Sequence, residues 1–480
     1  MIWLEIDSTP SVALYREPAA RALITTDLAL QSLSSVGTLR RPLSIPGLDP
    51  AENANISLTL DNANGRLTAL WAADPPIRTA ARVMSDSGEL FAGVITDIHL
   101  GAQASLDLES GLVRPLTDTV PLRRATVWGD YSAAATLAIV YGRATVAAVH
   151  YQASAWHVAD HPVQGIDSVR VAGELRADWT GRNTVDSTGQ AVALITFATP
   201  VDADATVSVS LRGRMHPATG ALMERPDEIL WDFLVNVCGL PLAVADFDAF
   251  RVECTGLVLG GALTDRTKSI RAQVDEILQS LGGAWSASAA DVAMLFPLVD
   301  YADRPTEISV DPLHARDLQA ACSHASLSNV LRIDYAYDWA TGQPAQSIEI
   351  EDAESIRLYG RIETTWPAYW CTSERQVRAL GARLLDWVST PKWTVTWVAD
   401  RVDLRPGDWA DFDHPALPIA GRHRILSTDT DYAARQTTLI ALGVGVAQAV
   451  VYPPAASESY RLTEAGDIRI TESGDARILE

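Results

Sequence analysis

The chain has 480 residues, 48% hydrophobic and 20% charged, which is material for about three or four globular domains and excludes wholesale disorder. Its formal net charge of -22 excludes a chain-wide basic footprint for nucleic acid. There is no run of about 18 uncharged apolar residues, so no membrane-spanning helix is expected. The acidic opening Met1-Ile-Trp-Leu-Glu-Ile-Asp7 predicts no secretory leader and a start in a cytoplasm.

Residues 1–118 read as β structure. Ile56-Ser-Leu-Thr-Leu60 alternates at period two, and Asp61-Asn-Ala-Asn-Gly65 follows as a turn because Asn and Gly tolerate positive φ. Further strands are expected at Phe91–Ile98 and Ala104–Leu108, a spacing that suggests a small barrel or sandwich. Residues 119–215 read as a β-rich insertion with strands at Leu137–Arg143, Ala147–Tyr151, Ala193–Phe197 and Thr206–Leu211. Asp178–Gln190 is polar and glycine-containing, so an exposed loop is expected there.

Residues 216–314 read as an α/β middle region. Arg225-Pro226-Asp227-Glu228 opens a helix, since Pro suits the first turn and acids suit the positive end of the dipole. Ile229, Leu230, Phe233, Leu234, Val237 and Cys238 share one face, and Gly239 stops it. A second helix carries Ile270, Val274, Ile277, Leu278 and Leu281 and ends at Gly282-Gly283; a hairpin of Ala284–Ser288 with Val292–Phe296 follows. Residues 315–450 return to strands. Leu331–Tyr337 and Gln346–Glu351 form a hairpin, and one helix buries Val377, Leu380, Leu384, Leu385 and Val388. Trp393–Val398, Trp409–Phe412, Arg422–Ser427 and Gln436–Leu442 complete the region.

Residues 451–480 carry a repeat. Arg461-Leu-Thr-Glu-Ala-Gly-Asp-Ile468, Arg469-Ile-Thr-Glu-Ser-Gly-Asp-Ala476 and Arg477-Ile-Leu-Glu480 share a period of eight. An even period keeps strand parity, so Leu462, Ile470 and Ile478 fall on one side, and the x-Gly-Asp element supplies the turn. Repeat arrays need about three units for stability. A β-meander here would gain a core by pairing with copies of itself, which makes Leu462, Ile468, Ile470 and Ile478 candidate partner-binding residues.

No catalytic motif is present: there is no Gly-x-Ser-x-Gly, phosphate loop, His-Glu-x-x-His or dinucleotide fingerprint. His150, His157, Asp160 and His161 could be read as a metal cluster, but Pro162 and the surrounding strand pattern favour turn and surface histidines. The pairs Asp202/Asp204, Asp411/Asp413 and Asp429/Asp431 read as solvated strand faces, not as a glycosidase pair or a calcium loop. Cys238, Cys254, Cys322 and Cys371 make no Cys-x-x-Cys and read as reduced, mostly buried thiols. Trp366, Trp370, Trp387, Trp393, Trp397 and Trp409 read as core and interface residues. No catalytic residue, cofactor or metal is expected.

Three stretches together resemble the tail-tip or baseplate hub proteins of bacteriophages. They are Ala138-Ile-Val-Tyr-Gly-Arg143 with Val158–Val169, Leu404-Arg-Pro-Gly-Asp408 ahead of Arg422–Ser427, and the closing Arg-Leu-Thr-Glu units. The resemblance implies a mainly β chain with α+β parts, in which residues 1–118 and 315–450 are two related small β-barrels. It further implies a homotrimer of six barrels, joining a six-fold tail tube to three-fold tip components; the acidic charge of such a trimer is expected to repel phosphates and let DNA pass without specific binding. The implied neighbours are a tail-tube or distal tail protein, the tape measure protein and tail fibres or a spike. The implied location is the virion tail, after assembly in the host cytoplasm and without stable membrane insertion. A receptor- or glycan-binding module using exposed Trp, and an envelope hydrolase with two carboxylates in a cleft, are the alternatives.

Overall fold

The computed structural model describes residues 2–7, 12–15, 28–31, 33–43, 45, 54–110 except 73 and 87, 116–122, 135–287 except 186–188, 241 and 243, 292–295, 308–310, 316–323, 327–400, 405–413, 420–443 except 433, 460–462 and 468–470. The chain is mainly β, with helices in its middle. Alternation in the first region places the core as the sequence predicts. In the strand Asn55–Asp61, Ile56, Leu58 and Leu60 are buried, opposite Leu108, Leu106 and Ala104 of the strand Gln103–Ser110. They meet Leu4, Ile6, Leu14, Phe91 and Ile95 in one core. Each such Leu or Ile contributes about 2 kcal/mol by burial.

The predicted turn at 61–65 forms, closed by Gly65 N on Asn62 O (2.8 Å), and leads directly into a helix. Asn62 accepts a hydrogen bond from Leu67 N (2.9 Å), Gly65 takes φ +65°, and the helix Arg66–Trp71 inserts Leu67 and Trp71 into this core. The Asn62 side chain thereby caps a short helix that the sequence reading did not include.

Strands from the two ends of the chain belong to one sheet. Thr38–Pro42 lies between Asn55–Asp61 of the first region and the long strand Ala420–Asp431 near the other end. The junction is antiparallel, from Ser427↔Pro42 to Asp431↔Thr38, and extends through a hydrogen bond from Leu43 N to Leu426 O (2.7 Å). Beyond it, Gln436–Gly443, Lys392–Ala399 and Arg316–Ser323 continue the order, over a core of Val395, Trp397, Ile425, Leu439 and Ala441.

The strands between 316 and 443 divide over two sheets. Val330–Asp338, Gln343–Glu351 and Glu363–Ala368 join a second sheet with Arg143–Ala147, Val163–Val171, Glu174–Arg176 and Val207–Arg214. A four-stranded sheet, Val149–Gln152, Ala155–Ala159, Ala191–Phe197 and Trp179–Val185, packs against the latter group through Trp156, Val158, Ile195 and Phe197. Trp179–Val185 falls where a loop was expected. It is an outer strand paired only with Ala191–Phe197 among the described residues, and its exposed run Thr180–Asn183 has no apolar alternation, which hides the strand pattern.

The middle helices and the helix Glu374–Val388 enclose the largest core. The helix Ile270–Gln279 buries Ile270, Val274, Ile277 and Leu278 as its periodicity predicts, and Ser269 caps it by accepting from Ala272 N. The helix Val244–Glu253 was not evident in the sequence, because it buries Phe247 and Phe250 but exposes Val244 and Val252. Near the C-terminus, Tyr460–Leu462 pairs with Ile468–Ile470 as a hairpin.

Candidate functional site

A cleft of about 300 Å³, lined by residues between His216 and Arg251, opens beside the joint of the β-rich insertion with the middle helices. Close backbone approach builds it. Gly142 has φ +57°, and a Cβ there would collide with the Leu259 carbonyl oxygen. Its N–H donates to Met223 O (2.8 Å), and its carbonyl accepts from Gly213 N (2.7 Å). These contacts set Tyr141 and Arg214, each at a strand end, beside the helix that begins at Pro226.

That helix widens as it proceeds. After Pro226–Trp231 it becomes a π-helical turn, Asp232–Val237, in which Cys238 N reaches back to Phe233 O (3.0 Å). Gly239 then takes φ +70° and Leu240 N caps on Leu234 O (2.8 Å), the expected stop. Such widened turns recur at functional sites because they re-aim side chains. Here Asp232, only 3% exposed, accepts from Tyr141 Oη (2.7 Å) and Asn236 Nδ2 (2.9 Å) and pairs with Arg214 Nη1 (3.0 Å). Burial and the neighbouring carboxylate hold the Tyr141 hydroxyl well above the usual tyrosine range, so it remains a donor.

The second buried acid, Asp227, is gripped by Arg225 through two bonds (3.1 and 2.9 Å) and by Arg251 (3.5 Å). Arg251 also pairs with Asp248 (2.9 Å) and lies 5.6 Å from the centre of the Phe247 ring. Both buried carboxylates are therefore already held by charge-assisted donors. Glu228 differs: among the described residues no hydrogen bond or ion pair engages its carboxylate. Burial, and next the Asp227 charge, push its carboxyl above the usual range. Trp231, Met223 and Pro217 supply the apolar walls, and His216 sits in a tight turn with its Nδ1 facing Ala218 N (3.3 Å).

Other sequence candidates are placed apart from this cleft. His161 Nε2 accepts from Val140 N (2.9 Å), and its Nδ1 lies 2.9 Å from Pro162 O, so its ring braces backbone. His157 lies against Tyr151, ring centres 4.5 Å apart, and His150 against Trp156, 5.0 Å. Asp202 and Asp204 sit in a turn, not on a strand face as expected, with Asp202 accepting from Asp204 N (3.2 Å). Asp411 and Asp413 lie on Trp409–Asp413, and Asp429 and Asp431 on Ala420–Asp431. Cys254 and Cys371 are buried, Cys238 is half-buried and Cys322 is exposed. Burial pushes the Cys238 and Cys371 thiols up to about 12, which keeps them protonated and inert. In the C-terminal hairpin Leu462 pairs with Ile468 and Ile470 with Tyr460, while Ile478 lies outside the described residues. The cleft itself was not evident in the sequence. Its signal was Asp232, an acid beside the apolar run Phe233-Leu234.

No known protein family and no curated protein matches the sequence. Solved phage tail proteins are among its structural neighbours. A tail protein from Neisseria meningitidis shares 8% identity over 92% of this chain and 96% of that one, with a TM-score of 0.46. The 43 kDa tail protein of prophage MuSo2 from Shewanella oneidensis shares 9% over 92% and 97%, with a TM-score of 0.45. An E. coli component of the type VI secretion system shares 10% over 87% and 76%, with a TM-score of 0.40. Likeness at these values assigns this chain no role.

Proposed function

We propose that this chain is a structural hub of a phage tail tip or baseplate. Three copies close into a ring that matches the six-fold tail tube on one side and three-fold tip components on the other. The observation that carries this reading is the strand-to-strand union of the two chain ends at Thr38–Pro42 and Ala420–Asp431. It joins the first β region to part of the 315–450 region, the two regions in which the sequence resemblance implies related β-barrels. The tube or distal tail protein, the tape measure protein and fibres or a spike are its partners in the virion tail. A charge of -22 per copy favours a lumen that repels phosphates, so DNA passes without sticking.

Leu462, Ile468, Ile470 and Ile478 would add a self-assembly face. The hairpin register supports this by pairing Leu462 with Ile468 and Tyr460 with Ile470, while Arg461 falls opposite Arg469. Like charges directly opposite weaken a lone hairpin, so further strands are needed to hold it. Native mass measurement of the full chain tests the hub. Three times 51.7 kDa is expected, and a monomer or dimer overturns it. Leu462→Asp with Ile470→Asp is expected to shift the trimer towards monomer; an unchanged trimer removes the tail from the interface but leaves the hub reading standing.

A further inference from the structure

We infer that the cleft lined by residues between His216 and Arg251 receives an arginine side chain presented by a neighbouring protein, with its guanidinium on Glu228 and against the Trp231 indole. The inference rests on the cleft alone and not on the hub reading.

Charge decides the sign of the guest. Around the cleft, Arg214, Arg225 and Arg251 face Asp227, Asp232, Asp248, Glu224 and Glu228, with His216 beside Glu228. Three guanidinium groups meet five carboxylates, and of the acids that line the cleft Glu228 is the one that no hydrogen bond or ion pair engages among the described residues. An anionic guest would have to pull Arg225 from its two-bond grip on Asp227, or Arg251 from the two carboxylates it already bridges. Breaking a paired, buried carboxylate in this way is strongly unfavourable. A metal ion is poorly served, because hard cations take six or more oxygen ligands and one carboxylate is open.

Shape selects arginine among cations. Trp231 lines the cleft while packing on Phe247, ring centres 5.4 Å apart, so its indole is held in place before any guest arrives. An indole attracts a cation over its face, and a planar guanidinium can stack there while donating two bonds to one carboxylate. Met223 and Pro217 give the aliphatic stem an apolar wall. The cleft of about 300 Å³ is larger than any one side chain, so part of the guest's backbone fits as well. Partial burial of Glu228 beside Asp227 disfavours its charge, and a guest cation relieves that.

Saturation-transfer NMR on the full chain with Nα-acetyl-arginine amide tests the inference. Transfer to the arginine methylenes is expected, weakened at least ~10-fold in Glu228→Gln, which corresponds to about 1.4 kcal/mol. Trp231→Phe, which keeps an aromatic wall, should weaken it less. Circular dichroism of both variants confirms that they are folded. Nα-acetyl-glutamate amide and inorganic phosphate should give no transfer. Absence of transfer with the arginine probe, equal binding by folded Glu228→Gln, or binding of phosphate in its place would each overturn the inference.

Discussion

The molecule has two internal joints made by opposite means. Where the chain ends meet, Thr38–Pro42 and Ala420–Asp431 are held by a backbone ladder. Where the insertion meets the middle helices, one carboxylate, Asp232, gathers Tyr141, Arg214 and Asn236. A ladder asks little of side-chain identity, since its donors and acceptors belong to every residue except proline. A buried carboxylate asks for particular partners at particular atoms, because each unmet bond leaves a desolvated charge. The first joint therefore fits a structural union that tolerates drift, and the second fixes the geometry of a cleft.

The largest expected effect falls on the second joint. Asp232→Ala leaves Arg214 unpaired beside an orphaned Tyr141 hydroxyl and should cost about 4 kcal/mol, read by urea unfolding. Asp232→Asn, which keeps a hydrogen-bonding shape without the charge, should cost less. If Asp232→Ala unfolds with an unchanged midpoint, the joint depends on apolar packing and the contrast collapses.

The ladder should show the reverse pattern. Leu43 N bonds Leu426 O, and alternation by two turns the Arg41 N–H to the same strand. Arg41→Ala removes side-chain bonds to Leu90 O (3.1 Å) and Tyr432 Oη (3.4 Å) and should cost about 1 kcal/mol. Arg41→Pro also strands a carbonyl across the joint and should cost about 3 kcal/mol. Equal costs for the two changes, measured by the same unfolding, would mean that side chains hold this joint too.

Neither joint was legible in the sequence, for different reasons. Local periodicity revealed what a segment buries: Ile270–Gln279 and Asn55–Asp61 follow it, and so does the hairpin of Val330–Asp338 with Gln343–Glu351. It does not reveal which distant edge a strand joins, so the pairing of residue 40 with residue 429 left no trace. Local hydrogen bonds overrode the pattern elsewhere. After the turn at 61–65, Asn62 caps Arg66–Trp71, and Asp352 caps Ala353–Tyr359 by accepting from Glu354 N and Ser355 N, two short helices that the periodicity did not show. In the cleft, Arg225-Pro-Asp-Glu228 read as an ordinary helix start, which it is. Its second role needed Arg251, twenty-six positions on from Arg225, to be folded back against Asp227.

The smallest effect separates the one open acid from its paired neighbours. Burial raises the Glu228 carboxyl above its range in the unfolded chain, although the helix N-terminus favours its charge. The folded protein then holds this proton more tightly than the unfolded one. Stability at this position is greatest in acid and falls as pH rises from the ordinary carboxylate range through the raised value. Glutamine does not titrate, so Glu228→Gln should gain on the parent protein across that same window and keep the gain at neutral pH. Urea midpoints of the two proteins, taken at several pH values, give the difference directly. A flat difference would place Glu228 in water as in the unfolded chain, and the cleft would then hold no strained charge for a cation to relieve. A difference that rises with pH, and that shrinks when Nα-acetyl-arginine amide is present, ties the unfavourable charge to its guest.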